Sequence, residues 1–304
     1  MIHRIKEFLR CSSAVAAISP VAVLGRLARA ALILCFFAAP GWGVWGLGDV
    51  LNSTSEEISD TSLDLSWSGT INTGNIIVVK AATDNVQTTD GETTLHSISD
   101  SDGNTYTRIC EFTNGEAGAG AGATVSVHFA KASADLVPPE VITLTTSSAV
   151  TDKALAVREY TITSGNVPSL AGTCQTLAND GADAGSQALS GLTSQEYLFL
   201  RAIATESNGA VSMTATLNYT VMDSGGCQNT TGGGEASDMG VCGEHRIFTG
   251  TGDTSDPTLV DTTNDNASVF VALKETAPPS SDAPVQIIIS ETVSKLHTLA
   301  SKEN

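Results

Sequence analysis

Five consecutive oxygen-bearing or turn-forming residues, Asp100-Ser101-Asp102-Gly103-Asn104, form the local pattern with the clearest chemical potential. Carboxylate, hydroxyl and amide oxygens around a glycine suit Ca²⁺, which takes about six to eight oxygen ligands in irregular geometry. Asp100, Asp102 and Asn104 are therefore a calcium candidate, although no distal acid follows at the usual spacing. The alternative is a β-turn within a hairpin, because Asp, Gly and Asn supply the required backbone geometry. The second interpretation is favoured.

Four cysteines follow the N-terminal segment, namely Cys110, Cys174, Cys227 and Cys242. An even number downstream of an export signal predicts disulfides, with three possible pairings. Cys227 and Cys242 bracket a Gly-rich segment, so we expect this pair to close a loop of about 15 residues, worth about 3 kcal/mol in the chain-entropy model. Cys110 with Cys174 then follows by elimination. Buried free thiols are the alternative for a chain that stays in a reducing compartment.

Residues 224–240 form a second candidate binding element, since long Gly/Asn/Thr loops at the end of a sandwich often present binding groups. The side chains suited to hydrogen-bonding a sugar are Gln228, Asn229, Glu235 and Asp238. Lectin sites usually add an aromatic platform, which this loop lacks. A surface loop without a ligand is therefore the favoured interpretation.

No catalytic residues are predicted. His96, His128 and His245 are isolated in the sequence, the carboxylates are scattered, and neither GxSxG nor HExxH occurs. We expect a protein that is not an enzyme and that needs no cofactor, with calcium as the one alternative.

β-Strands must position these residues. The run Ile76-Ile77-Val78-Val79 follows turn-forming residues and predicts a strand buried on both faces, at the centre of a sheet that packs on a second sheet. Helix signals between the strands are almost absent, so the sheets are expected to be antiparallel. The predicted strands are 62–67, 76–83, 95–99, 105–112, 124–130, 141–146, 154–162, 186–189, 197–205, 214–221, 245–249 and 268–273.

Charge is divided unevenly along the chain. Five Lys/Arg oppose two Asp/Glu in the first 50 residues, a balance of +3, whereas ten Lys/Arg oppose 31 Asp/Glu in the remainder, a balance of −21. A domain this acidic repels phosphate backbones, so we expect no nucleic-acid partner.

The ends of the chain differ from its middle. Residues 1–47 combine basic residues with the apolar run AALILCFFAA and predict a signal peptide or an uncleaved signal anchor, the only expected membrane contact. A polar connection is expected at 48–61, the sandwich at 62–274 and a Pro/Ser linker at 275–284. A short amphipathic helix or a frayed tail is expected at 285–304, where it could also support homo-oligomerisation.

The strand order and turns then resemble a known domain. The segments that carry the resemblance are GNIIVVKAATDN, SISDSDGNTYT, ATVSVHFAKAS, VITLTTSS, ALAVREYT, SQEYLFLRAIAT and NASVFVALKE. They are similar to the jelly-roll, concanavalin- or laminin-G-like β-sandwich that recurs in bacteriophage structural proteins and bacterial surface proteins. The resemblance implies an all-β fold and a virion appendage, decoration protein or surface adhesin.

The expected function is therefore a non-enzymatic structural or adhesive module. It would lie outside the cell or on the cell surface, or alternatively on a virion, with surface proteins and glycans as partners. The alternative is a lectin-like carbohydrate-binding module, with or without calcium.

Overall fold

The computed structural model describes residues 44–277, except 67, 85–86, 116–121, 164, 181–182, 208, 223–225, 231–237 and 261–264. Regular secondary structure in these residues is entirely β, as the sequence predicted. Most of the predicted targeting segment, the end of the linker and the predicted C-terminal helix lie outside the described residues. Within the described ranges, no helix has the length and apolar character needed to cross a bilayer.

The strands follow one another along the chain with turns and loops between them. They are β1 (Gly46–Ser66), β2 (Ile76–Asp84), β3 (Gly91–Glu92), β4 (His96–Asp100), β5 (Thr107–Asn114), β6 (Ala123–Lys131), β7 (Val141–Thr161), β8 (Val167–Asp180), β9 (Gln187–Leu189), β10 (Gln195–Ser207), β11 (Ser212–Thr214), β12 (Thr220–Val221), β13 (Cys227–Asn229), β14 (Asp238–Gly250), β15 (Asp253–Ser255), β16 (Thr258–Val260) and β17 (Asp265–Thr276).

Two antiparallel sheets pack face to face. The first sheet has the order β1-β7-β2-β6-β5-β3, with β4 paired to β7, and the second has the order β12-β14-β10-β17-β8, with β13 paired to β14. The core between them combines apolar side chains of β2, β6 and β7 with those of β10, β14 and β17. The architecture is an antiparallel β-sandwich.

Strand β2 lies in the first sheet between β7 and β6, and all its residues but the last are buried. Ile76 and Val78 face the second sheet, whereas Ile77 and Val79 belong to a separate apolar cluster on the opposite face. A strand covered on both faces has to be apolar at every position, which explains the unbroken run in the sequence. The predicted central strand is confirmed.

The cover on the outer face of the first sheet comes from a bent ribbon of β1 and β7. These two strands pair along almost their whole length, and register shifts on either side of Asp60 mark bulges. Bulges bend a strand, and the far leg folds back so that Leu65 and Leu144 pack against Ile77. Lys153 stabilises the bend. Its Nζ lies 2.9 Å from the Asp60 carboxylate and donates a hydrogen bond to the Ile58 carbonyl of β1.

The second sheet is also covered on its outer face. Two short ribbons, β11 with β16 and β9 with β15, lie among the segments that supply this cover. Tyr197, Phe199 and Phe270 of the sheet pack with Leu189 in one cluster, and Ile203 packs with the β11 and β16 residues in another. Both faces of each sheet are therefore covered by other segments of the protein.

The first and last strands of the described chain meet at one end of the sandwich. The backbone N–H of Val44 donates to Thr163 Oγ1 at 3.2 Å, and the Thr163 N–H donates to Glu275 Oε1 at 3.1 Å. β1 starts from this end and β17 finishes there.

Several elements differ from the sequence-based expectation. The 48–61 stretch is part of β1, because its backbone pairs with β7 and two of its serines hydrogen-bond to β13. The predicted strands 141–146 and 154–162 form one bent strand, β7, and 214–221 is divided by a turn into β11 and β12. β8 carries small and polar residues and was not predicted.

Candidate functional site

The predicted calcium loop is a tight turn after β4. Oδ1 of Asp100 accepts the backbone N–H of Asn104 at 2.9 Å, and Oδ2 accepts the Asn104 amide at 2.9 Å and the Tyr106 hydroxyl at 2.8 Å. Gly103 has a φ of 73°, a left-handed conformation that glycine adopts without steric cost. The Asp100 carboxylate therefore already organises the turn.

This turn does not close a hairpin, because β4 pairs with β7 whereas β5 pairs with β6 and β3. Asp102 lies beside Glu140, and the hydrogen bond between the two carboxyls raises the pKa of Asp102. Across the described part of the chain, no three His, Cys, Asp or Glu side chains are grouped as a metal site would require. The calcium assignment stays a prediction.

The four cysteines form two disulfides. Cys227 and Cys242 lie opposite each other in β13 and β14, so this bond staples adjacent strands of the second sheet. Cys110 of β5 and Cys174 of β8 join the first sheet to the second. Both pairings agree with the expectation from spacing and elimination.

The residues of the predicted sugar-binding loop face the protein where they are described. Gln228 exchanges hydrogen bonds with Ser53 and Ser55 of β1. Asn229 accepts the backbone N–H of Val211 at 3.2 Å and donates to its carbonyl at 2.9 Å. Asp238 is buried, and Glu235 lies outside the described residues. The amides thus join the strands to one another.

Four acidic side chains lie at the end of the sandwich opposite Thr163. Four strands each carry an alanine in the core between the sheets and an acidic residue two positions nearer to this end of the sandwich. The pairs are Ala82 and Asp84, Ala154 and Asp152, Ala204 and Glu206, and Ala267 and Asp265. These four acids are called the acidic end below.

Burial is the main cause of unusual pKa values there. Burial and the nearby charges of Asp84 and other acids raise the pKa of Asp152 to about 7, and burial raises that of Asp84 to about 6. Burial also raises the pKa of Glu206 to about 7, with Asp84 and Asp265 adding to the shift. Among the described residues, no N–H or O–H donor serves either carboxylate oxygen of Asp152, which lies beside the Asp84 carboxyl. These acids therefore hold protons in a pH range where exposed carboxylates have lost theirs.

An open groove of about 260 Å³ lies at the sandwich edge, where β1 of the first sheet faces β12 and β14 of the second. We call it the edge groove. Its lining residues are Leu47, Asn218, Thr220, His245, Arg246 and Ile247. A turn from Thr216 to Tyr219 positions Asn218, which has a φ of 70°. Left-handed backbone at the third position of a turn suits Asn, so the turn sequence explains the placement.

Positive charge lies behind the groove, on the inward faces of β2 and β7. A Cβ at Gly243 would lie 2.6 Å from Lys80 Nζ. The ammonium group of Lys80 therefore packs against β14. Burial, followed by the charges of Arg158 and Lys80, lowers the pKa of His245 to about 3. His245 is therefore neutral near pH 7, and its buried Nδ1 has no hydrogen-bond partner among the described residues.

The Arg158 side chain has one hydrogen bond within the described residues. One guanidinium N–H donates to the Met222 carbonyl at 3.4 Å, and the buried Nε has no acceptor. Among the described residues, no carboxylate forms an ion pair with it. By contrast, Arg246 pairs with Asp253 at 3.0 Å and lies over the Phe248 ring.

The grouping of Lys80, Arg158 and His245 was not predicted from the sequence. Its members come from strands distant in the chain, so no local motif joins them. A usable signal was present, because Lys80 and Arg158 each interrupt an apolar run at an inward-facing strand position. A cation at such a position predicts an internal polar site.

No protein-family model, curated protein sequence or solved structure matches the chain. The fold and its cross-links define the class of protein: an antiparallel β-sandwich with one disulfide between its sheets and one within a sheet.

Proposed function

We propose that this protein is a non-enzymatic structural or adhesive β-sandwich module, displayed on a cell surface or on a virion. The observation that carries the proposal is the Cys110–Cys174 disulfide between the two sheets. Disulfides form and persist in oxidising compartments, and a bond between layers holds a sandwich together in such surroundings. The resemblance of residues 62–274 to jelly-roll domains of phage structural and bacterial surface proteins supports the same class.

The covered faces indicate which surfaces would make contacts. Both sheets pack their outer faces against segments of their own chain, so neither presents a large flat face for stacking with a partner. Adhesion would then use loops and strand edges. The net charge of −18 favours a partner surface that is basic or bridged by cations.

Intact mass of the native protein tests the display proposal. We expect four cysteines of the mature chain to resist alkylation until a reductant is added, and we expect the protein in the surface fraction of cells or in purified virions. Four freely alkylated cysteines in a protein found only in the cytoplasm would contradict the proposal.

Carbohydrate binding is the second candidate function, and the edge groove favours it. Asn218 and Thr220 are exposed at the groove and offer an amide and a hydroxyl, while Leu47 and Ile247 offer apolar surface. Sugar sites combine such groups, because hydroxyls need hydrogen-bond partners and the ring presents C–H faces.

A glycan array with and without Ca²⁺ tests this candidate. Binding lost in a Thr220→Val variant would support the edge groove as the site. Binding that survives this change but needs Ca²⁺ would direct attention to the turn after β4.

A further inference from the structure

We propose that the edge groove is a site for β-strand addition, and that residues 285–289 of the same chain, VQIII, pair there with the free edge of β14. This segment lies outside the described residues. The inference does not rest on the display proposal. A segment seated in the edge groove would compete with a glycan for the same surface.

The first argument is the free backbone edge of β14. Strands β12 and β13 pair with β14 only as far as His245, so residues 246–250 have a described strand neighbour only in β10. Gly243 directs its backbone N–H and C=O away from β10, and the alternation along an antiparallel strand gives Ile247 and Thr249 the same direction. Among the described residues, no hydrogen bond uses the backbone N–H or C=O of these two residues on that side. An extended segment could therefore pair with both.

The second argument is that nothing in the local sequence protects this edge. Soluble proteins usually blunt a free edge with charged residues, with proline or with a covering segment. Residues 247–250 contain neither a charge nor a proline. At the groove, Leu47 is 49% exposed, and Leu217, which precedes the groove residue Asn218, is 84% exposed. An apolar segment in the edge groove would remove Leu47 from water.

The third argument is the composition of the segment. Residues 285–289 contain four branched aliphatic side chains and no charge, like the run 76–79 of β2, and branched residues favour strands. The first, third and fifth of them share one face of an extended segment. Ile247 packs against the core between the sheets, so a pairing of Ile287 with Ile247 would direct this face toward Leu47. The helix expected from the sequence at 285–304 would then begin after these five residues.

The fourth argument is reach. Ile247 and Leu273 both pair with Leu198, so β14 and β17 flank β10, run in the same direction and finish at the same end of the sheet. A strand on the free edge of β14 would lie three strand spacings, or about 14 Å, from β17. Residues 277–284 span up to about 26 Å, so the chain that leaves β17 can pass β10 and β14 and return antiparallel to β14. Because the segment is tethered, its effective concentration favours its own groove over that of a second molecule.

Hydrogen exchange of the Ile247 and Thr249 amides, followed by NMR in the oxidised protein that carries residues 278–304, tests the proposal. A paired amide exchanges only when its strand opens, so both amides should exchange slowly. We expect Ile287→Asp, which places a carboxylate against the apolar groove, to speed exchange at both positions at least about tenfold. Leu296→Asp, the same change further along the chain, is the control and should leave both rates unchanged.

A second variant tests the groove itself. Leu47→Ser replaces an exposed side chain, so the fold should tolerate the change. We expect a severalfold increase in the exchange rates of the same two amides, because the segment would lose part of its apolar contact.

The outcomes are distinct. Rapid exchange of both amides in the unaltered chain would overturn the inference, because no segment would then cover the edge. Slow exchange that Ile287→Asp does not change would also overturn it, because something else would be the cover. Protection that rises with protein concentration, with a dimeric mass in light scattering, would assign the groove to a second copy and overturn pairing within one chain. None of these results bears on the alkylation test of display, so the two proposals fail separately.

Discussion

Replacement of Asp152 by asparagine should remove a pH-dependent weakness at the acidic end. The side chains of Asp84 and Asp152 lie within hydrogen-bonding reach of each other, and the Asp152 backbone N–H also donates to the Asp84 carboxylate. Two ionised carboxylates cannot hydrogen-bond each other, so the contact is favourable only when one carries a proton. An asparagine amide can donate to Asp84 at every pH and carries no charge.

The size of the effect follows from the pKa of Asp152, about 7 instead of 3.8. A pKa that is higher in the folded state means that the folded protein binds the proton more tightly, so its stabilising effect is complete below about pH 4 and is lost as pH rises to about 7. A shift of this size corresponds to about 4 kcal/mol. Between pH 4.5 and pH 8 only the part of the shift above pH 4.5 is lost, and proton sharing with Asp84 and Glu206 and solvent screening reduce it further, so we expect about 1–3 kcal/mol.

The assay is guanidinium unfolding of the wild type and Asp152→Asn at pH 4.5 and pH 8, with EDTA present so that no divalent cation neutralises the acids. The free energy of unfolding of the wild type should fall between the two pH values, whereas that of the variant should fall less by about 1–3 kcal/mol. Glu92→Gln is the control, because Glu92 is exposed on β3 and the change should alter both values by no more than about 0.5 kcal/mol. Equal pH dependence in the wild type and Asp152→Asn would refute the reasoning.

Three further predictions concern packing and cross-links. Gly243→Ala should destabilise the fold by about 1–3 kcal/mol in chemical unfolding, because a Cβ there would lie within 3 Å of a buried lysine and of backbone. Gly91→Ala should be nearly neutral, because the nearest atom to a Cβ there is Gln87 Nε2 at 4.0 Å. Replacing both Cys110 and Cys174 by alanine should cost about 4 kcal/mol in the chain-entropy model, given their separation of 64 residues, and a loss below about 1 kcal/mol would contradict that model. Ile77→Val should cost about 1 kcal/mol in thermal or chemical unfolding, because the lost methylene leaves a gap in a core with no exposed surface, and an unchanged midpoint would contradict the packing described.

The sequence predicted the elements whose pattern is local. The four branched residues of β2 predicted a strand covered on both faces, and the spacing of Cys227 and Cys242 predicted their disulfide. β8 was not predictable in this way, because its small and polar residues owe their strand conformation to pairing with β17. The bend of β7 was equally hidden, since it depends on bulges in a partner strand about 100 residues away in the chain.

The candidate site was less predictable than the fold. Arg158 and His245 are 87 positions apart in the sequence and meet only because β7 and β14 lie in facing sheets. The acidic end has the same origin, as four strands of two sheets each contribute one acid. By contrast, the pentapeptide at Asp100 looked like a ligand set because the residues that build a turn are also those that bind a cation.

The first and last strands of the described chain meet near Thr163, which has a consequence for the orientation of the sandwich. β1 starts and β17 finishes at that end. The sandwich would therefore be held by the same end whether it is attached through the segment before β1 or the segment after β17. The acidic end then lies at the end of the sandwich opposite the attachment. Since Asp152 and Glu206 bind protons near neutral pH, the charge at this end of the sandwich would vary with pH, and its attraction for a basic surface would be stronger in neutral than in mildly acidic medium.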